Sequence, residues 1–215
     1  MVRRAVETVV AALALAQGCT PKPVPQVRLF GYVIPPISGA SRSLAGSPVD
    51  VVALRRDLGK GAAATAVEVA GSGGVYYYEV RLDATVLPAA PLPFKVAVRN
   101  PEPAPRDGPL LAGIVRLFRP PGDIEDLGSF RLDLDATSSL AALGIEYRSN
   151  LAPDATFAEV DPIKAAKRFD KALMTFNFQQ AYGSFLAGRT NEAPAASLDL
   201  AQQASEELPP DLSAL

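Results

Sequence analysis

Gly71-Ser72-Gly73-Gly74-Val75-Tyr76-Tyr77-Tyr78-Glu79-Val80-Arg81-Leu82 is the stretch whose reading decides the fold class. The Gly-rich tetrad is a turn, because glycine enters left-handed backbone without steric cost. From Tyr76 onward the side chains alternate. Tyr76, Tyr78, Val80 and Leu82 share one face, and Tyr77, Glu79 and Arg81 share the other. Period two with one apolar face is the mark of a half-buried strand. The weakly alternating segment 65–70 precedes the turn, so the two form a hairpin.

The same period recurs on both sides. Residues 26–34 are apolar and β-branched at alternate places, and 49–54 form a near-continuous apolar run suited to a central strand. Residues 94–99 alternate with Phe94, Val96 and Val98 inward. Residues 114–118 are a shorter candidate, and 130–135 alternate most cleanly. About seven strands over roughly 110 residues suit a β-sandwich. The Pro-rich stretch 100–109 reads as a long exposed loop.

Fifteen of the 20 prolines lie between Pro21 and Pro121, so the rest of the chain reads as helical. Asp135-Ala136-Thr137-Ser138-Ser139 offers N-caps, after which Leu140, Leu143 and Tyr147 recur at helical spacing. Asp161-Pro162 starts a second helix, expected to run to about Ala187 with Gly188 as its stop. Ile163, Ala166, Phe169, Leu173, Phe176 and Gln180 form its apolar stripe, and Met174, Phe178 and Phe185 a second apolar side. Residues 190–215 are acidic and rich in small side chains. They read as a flexible tail with one weak helix over 197–208.

The 215 residues are 48 % apolar and 20 % charged, with formal net charge −2, which excludes a wholly disordered chain. The 21 Lys and Arg are balanced by 23 Asp and Glu, so the chain is no basic nucleic-acid binder. It has no His and one Cys, so neither a His-based triad nor an intramolecular disulfide can form from it alone. Gly71–Gly74 precedes a strand and lacks a Lys-Ser/Thr ending, so it is no phosphate loop; no Gly-x-Ser-x-Gly elbow or Ser-x-x-Lys is present.

The single Cys closes an N-terminal pattern. Arg3 and Arg4 precede the apolar run Val9–Ala16, which leads into Gln17-Gly18-Cys19. A positive start, a short apolar run and a small-residue exit make a secretory signal, and the run is far short of the ~20 residues of a membrane span. Ala16-Gln17-Gly18-Cys19 resembles the lipobox of bacterial lipoprotein precursors, with Gln17 and Glu7 as departures from that pattern. The resemblance implies a signal peptide at 1–18 and a membrane anchor by acylation of Cys19. An ordinary secretory cleavage with an incidental Cys is the other reading. Thr20, where an enterobacterial lipoprotein retained in the inner membrane carries Asp, points to the outer membrane. Pro21-Lys22-Pro23-Val24-Pro25 is then a stiff tether.

Phe30-Gly31-Tyr32-Val33, Ser38-Gly39-Ala40 and Leu127-Gly128-Ser129-Phe130-Arg131-Leu132 resemble the strand and turn motifs of the carboxypeptidase-regulatory, transthyretin-like sandwich family. The resemblance covers 26–135 and implies an Ig/transthyretin-like, non-catalytic module. The Ala-rich segment after Asp135 resembles the helix beside such domains in exported bacterial lipoproteins. The expected organisation is a signal at 1–18, lipidated Cys and tether at 19–25, sandwich at 26–135, helical pair at 136–189 and tail at 190–215.

The candidate functional residues each have a plainer reading. Phe176, Phe178 and Phe185 form a candidate partner surface because the helix there is apolar on two sides. Tyr77, beside Glu79 and Arg81, is a candidate contact for saccharide or protein, or simply an aromatic on a half-buried sheet. Lys164, Lys167, Arg168 and Lys171 form a basic cluster for lipid phosphate or an acidic partner; a solvated face is the commoner role of such a run. Asp123, Glu125, Asp126, Asp133 and Asp135 lack the ligand spacing of a calcium loop, and Asp133 and Asp135 read as the wet face of a strand. No cofactor, metal site or catalytic residue is assigned. The role read from the sequence is a lipid-anchored envelope protein with a structural or protein-binding function. A saccharide- or peptide-binding module is the alternative, and an enzyme of unrecognised type a third.

Overall fold

The structure, a computed structural model, describes residues 24–36, 43–54, 60–71, 73–100, 110–121, 126–151, 160–168, 176, 178–180, 183, 185, 187–189 and 198–209. Eight strands make two four-stranded sheets. They are β1 (Gln26–Val33), β2 (Pro48–Ala53), β3 (Lys60–Thr65), β4 (Val67–Glu68), β5 (Tyr76–Asp83), β6 (Leu92–Val98), β7 (Leu111–Leu117) and β8 (Asp126–Arg131). One sheet, here sheet A, has the order β4-β5-β1-β8; the other, sheet B, has the order β3-β2-β6-β7. Of the helices that follow, three are described from end to end, α1 (Ala136–Leu151), α2 (Pro162–Ala166) and α3 (Leu198–Glu206), and residues 176, 178–180, 183 and 185 are also helical.

The alternation places the core as expected. Tyr76, Tyr78, Val80 and Leu82 of β5 are buried, as are Phe94, Val96 and Val98 of β6. They meet Val27, Leu29 and Val33 of β1 and Val49 and Val51 of β2 between the sheets. The glycine turn joins β4 to β5, with Gly73 and Gly74 both left-handed.

The expected strand at 65–70 is instead the end of β3 and the whole of β4. The chain passes from sheet B to sheet A at buried Ala66, whose N–H and C=O bond to Ser47 O and Gly46 N at 2.9 Å each. The Ala-rich run of β3 carries no period-two signal, so its pairing with β2 comes from tertiary context alone. The strand expected at 130–135 begins earlier, at Asp126, and β8 runs parallel to β1. Backbone bonds from Leu132 N to Phe30 O (2.9 Å) and Leu134 N to Tyr32 O (2.7 Å) carry the pairing past Arg131.

The helices form a third layer on the outer face of sheet B. Ala97, Ala112 and Ile114 point away from the sandwich core yet are buried, because α1 packs over β7. Lys95 of β6 pairs with Glu146 of α1 at 2.6 Å. The start of α1 also covers an edge. Asp135 Oδ1 accepts from Ser138 N (2.7 Å) while Ser138 Oγ accepts from Asp135 N (2.9 Å), a reciprocal cap of the helix N-terminus. The same serine donates to Ala112 O (3.0 Å), and Ser139 Oγ accepts from Ala112 N (2.9 Å). Two hydroxyls thus take the place of a ninth strand beside β7, which an exposed edge would invite.

Ser139 is 1 % exposed, so Ser139→Ala leaves the Ala112 N–H buried without a partner. The expected loss is about 1–3 kcal/mol in urea unfolding of the full-length protein. A change below about 0.5 kcal/mol, the scale of an ordinary surface substitution, would show that the hydroxyl does not hold the edge.

Two expectations for the C-terminal third are corrected. The helix expected to run continuously from Pro162 to about Ala187 is broken after Ala166, while residues 176, 178–180, 183 and 185 are helical and the left-handed Gly188 follows them, as expected. Arg168 N turns back to Ala165 O at 3.0 Å, and Lys167 and Arg168 form a turn. Of the expected apolar stripe, Ile163 is 67 % and Phe176 55 % exposed and Ala166 packs against the core; Phe169 and Leu173 lie outside the described residues. The tail is not free: α3 packs on α1, burying Leu200, Ala201, Ala204 and Leu208. Those four residues recur at helical spacing, a signal masked by the acidic, Ala-rich composition around them. α1 is covered by the sheet on one side and α3 on the other, so Leu140–Ile145 are all buried. At the α1–α3 crossing, a Cβ on Gly144 would lie 2.9 Å from the Ala204 backbone, so glycine is what permits this approach.

Candidate functional site on the open face of sheet A

The outer face of sheet A carries the aromatic residues that the pleat turns away from the core. β1 contributes Arg28, Phe30 and Tyr32, β5 contributes Tyr77, Glu79 and Arg81, and β4 contributes Val67. The register aligns Val67, Tyr77 and Tyr32 in one row across three strands, and Phe30 opposite Glu79 in the next. Tyr77 stands 5.9 Å from Tyr32 and 6.5 Å from Phe30, centroid to centroid, in tilted and edge-on arrangements that aromatic pairs favour.

Charged groups lock these rings. Arg28 donates to Tyr77 Oη (2.8 Å) and pairs with Glu79 (2.8 Å), while Tyr77 Oη donates to Glu79 Oε2 (2.9 Å). Each member of this triangle has both others as partners. Hydrogen bonds from Arg28 and then Tyr77 hold the Glu79 carboxyl below the usual range. Partial desolvation, followed by the Glu79 bond, raises the Tyr77 phenol. The Arg28 guanidinium lies 4.4 Å from the Phe30 ring centre, and that of Arg131 5.6 Å from the Tyr32 ring centre. Arg131 in turn pairs with Asp133 at 2.9 Å, and Asp133 Oδ1 accepts from Tyr32 N at 3.1 Å. Beneath the face, Tyr78 is buried, its phenol pushed far above the ordinary range by burial, and donates to Leu132 O at 2.7 Å.

Of the residues singled out from sequence, Tyr77 lies at the centre of this face. Glu79 joins it directly; Arg81 reaches it only through Glu79, at 3.6 Å. Arg28, Phe30, Tyr32 and Arg131 were missed, although aromatic residues at the wet positions of β1 are a readable signal. Phe178 and Phe185 are 1 % and 0 % exposed. The partner surface expected there is corrected to core, and only Phe176 of the three presents its ring to solvent. The two-sided apolarity that suggested a partner is satisfied inside the chain. Lys164, Lys167 and Arg168 are exposed on α2 and the turn after it. Cys19 and Lys171 lie outside the described residues, as do Asp123 and Glu125. Asp133 and Asp135 are occupied by Arg131 and the α1 cap. Among the described residues no three His, Cys, Asp or Glu side chains gather to hold a metal ion. Among them, too, no helix is long and apolar enough to cross a membrane.

The fold defined by these elements is a sandwich of two four-stranded sheets with added helices. No family model matches the chain, and no curated protein matches it. A solved structure to which it is similar is a DUF3823 family protein from Parabacteroides merdae ATCC 43184, at 14 % identity and a TM-score of 0.28. The match covers 52 % of this chain and 46 % of that one, so the chain spans less than half of its length.

Proposed function

We propose that this is a lipid-anchored protein of the bacterial cell envelope, held at Cys19 in the outer membrane, whose sandwich binds a protein partner without catalysis. The anchor reading is supported by the signal-like residues 1–18 and the lipobox-like Ala16-Gln17-Gly18-Cys19. One acyl chain binds a membrane only reversibly, and a multiply acylated Cys supplies the second anchor that stable attachment needs. The two four-stranded sheets and the motifs around Gly31 and Gly128 support an Ig/transthyretin-like, carboxypeptidase-regulatory-like domain.

The observation that carries the binding reading is the locked aromatic cluster of Phe30, Tyr32 and Tyr77 on the outer face of sheet A, which none of α1, α2 and α3 covers. Aromatic and Arg side chains are the groups enriched at protein interfaces and their energetic centres. The guanidinium over Phe30 occupies the ring face that a sugar would stack on. That favours a protein partner over a saccharide.

Two measurements test this in the native host. Wild type should begin at Cys19, carry acyl mass and fractionate with membrane, and Cys19→Ala should neither carry acyl mass nor fractionate with membrane. A photo-crosslinking side chain at Tyr32 should then capture one discrete partner, and the same group at Val86, 64 % exposed elsewhere on the domain, should not. Equal labelling at both sites, or none, sinks the partner reading. Retention on an envelope polysaccharide that is lost in Tyr77→Ala replaces it with a saccharide module.

A further inference from the structure

A second site lies where β7 and the chain just past β8 meet α1 and α2. A groove of about 480 Å³ opens there, within the range of pockets that hold small ligands. Its apolar wall includes Ile114, Leu132, Ala141 and Ala166. Ile163 also lines it while remaining 67 % exposed, an apolar side chain with space beside it. The polar rim is unequal. Asp133 is already neutralised by Arg131. Asp135 uses Oδ1 for the Ser138 cap and has no cationic partner among the described residues. Lys167 stands at the end of α2, exposed and without an ion pair among the described residues. Thr137 and Ser138 add hydroxyls to the rim.

The groove therefore presents one carboxylate and one ammonium around an apolar wall. We propose that it binds a small zwitterion with apolar side chains, a short apolar peptide, with the ligand ammonium at Asp135 and its carboxylate at Lys167. Charge complementarity sets the orientation, and burial of the apolar side chain against Ile114, Ile163 and Ala166 provides most of the affinity. A lone cation or lone anion would leave one rim charge unanswered. The groove adjoins the aromatic face at Asp133, which lines its rim and also holds Arg131 and Tyr32 N.

The test is calorimetric titration of the full-length protein in detergent micelles with leucyl-leucine. Saturable binding is expected. Lys167→Met and, separately, the N-acetylated dipeptide should each weaken it about three- to tenfold, as loss of one partly exposed charge pair would. Ala166→Phe should abolish it by filling the groove, and Tyr77→Ala should leave it unchanged. A thermal melt of each variant confirms folding; should Ala166→Phe not fold, the surface variant Lys167→Met still decides. No saturable binding, binding indifferent to both Lys167→Met and acetylation, or binding lost in Tyr77→Ala would overturn the assignment.

Discussion

Gly31→Ala should lower the unfolding free energy by about 3–5 kcal/mol, beyond the range of ordinary core overpacking. A Cβ at this position would lie 1.9 Å from Leu132 O and 2.6 Å from its carbonyl carbon. These are backbone atoms, so no rotamer change relieves the clash. The strand itself must move, and Leu132 is held by two bonds, with a third two residues on. Its N–H donates to Phe30 O (2.9 Å), its carbonyl accepts from Tyr78 Oη (2.7 Å), and Leu134 N donates to Tyr32 O (2.7 Å) just beyond. Opening this junction separates β8 from β1 and uncovers the Tyr78 ring, which lies opposite Gly31 in the register. For a chain of this length the melting temperature should fall by roughly 10 °C. Urea unfolding of the full-length protein, followed by tyrosine fluorescence and circular dichroism, measures it. A loss under about 1 kcal/mol would mean that the β1–β8 contact is looser than described.

Arg148→Met should release α3 while leaving the sandwich folded. The guanidinium of Arg148 bonds to the carbonyls of Ser205, Leu208 (2.8 Å) and Pro209 at the C-terminal end of α3. Ser205 O accepts one backbone bond, from Leu208 N at 3.3 Å, so the guanidinium supplements it there, and a cation is favoured at the negative end of the helix. Methionine keeps much of the aliphatic stem and removes every donor, so the change isolates the clasp from the packing around it. Charge-assisted bonds contribute about 1.5–3 kcal/mol each but are not additive. Amide exchange over residues 200–208 should therefore speed by roughly 100-fold while β1, β5 and β6 keep their protection. Unchanged exchange in α3 would show that Leu200, Ala204 and Leu208 dock it without the arginine. Exchange accelerated equally in the strands would show that α3 is part of the cooperative core.

The two predictions separate what is readable in one dimension from what is not. Gly31 belongs to a recognisable strand motif, but nothing local says that the Leu132 carbonyl, 101 positions away, fills its Cβ site. Arg148 carries no local signal, because a basic residue in the last turn of a helix is ordinary. The candidate site divides in the same way. Tyr77 was found from alternation within β5, yet its neighbours Phe30 and Tyr32 come from β1, and only the register brings them together.

Local geometry is legible in the chain alone: the inward sets of β5 and β6, the glycine turn between β4 and β5, and the starts of α1 and α2. Asp161 Oδ1 indeed accepts from Ile163 N (2.9 Å) and Lys164 N (3.2 Å), with Pro162 in the first turn. These features follow from backbone sterics and from bonds between residues a few positions apart, so a short window contains their whole cause. The tertiary structure alone decided the strand order, the parallel β1–β8 pair, the burial of Phe178 and Phe185, the docking of α3, and which sheet face the helices cover. Each of these depends on which distant apolar face is nearest to be covered, and an apolar stripe is equally satisfied by any surface of matching shape.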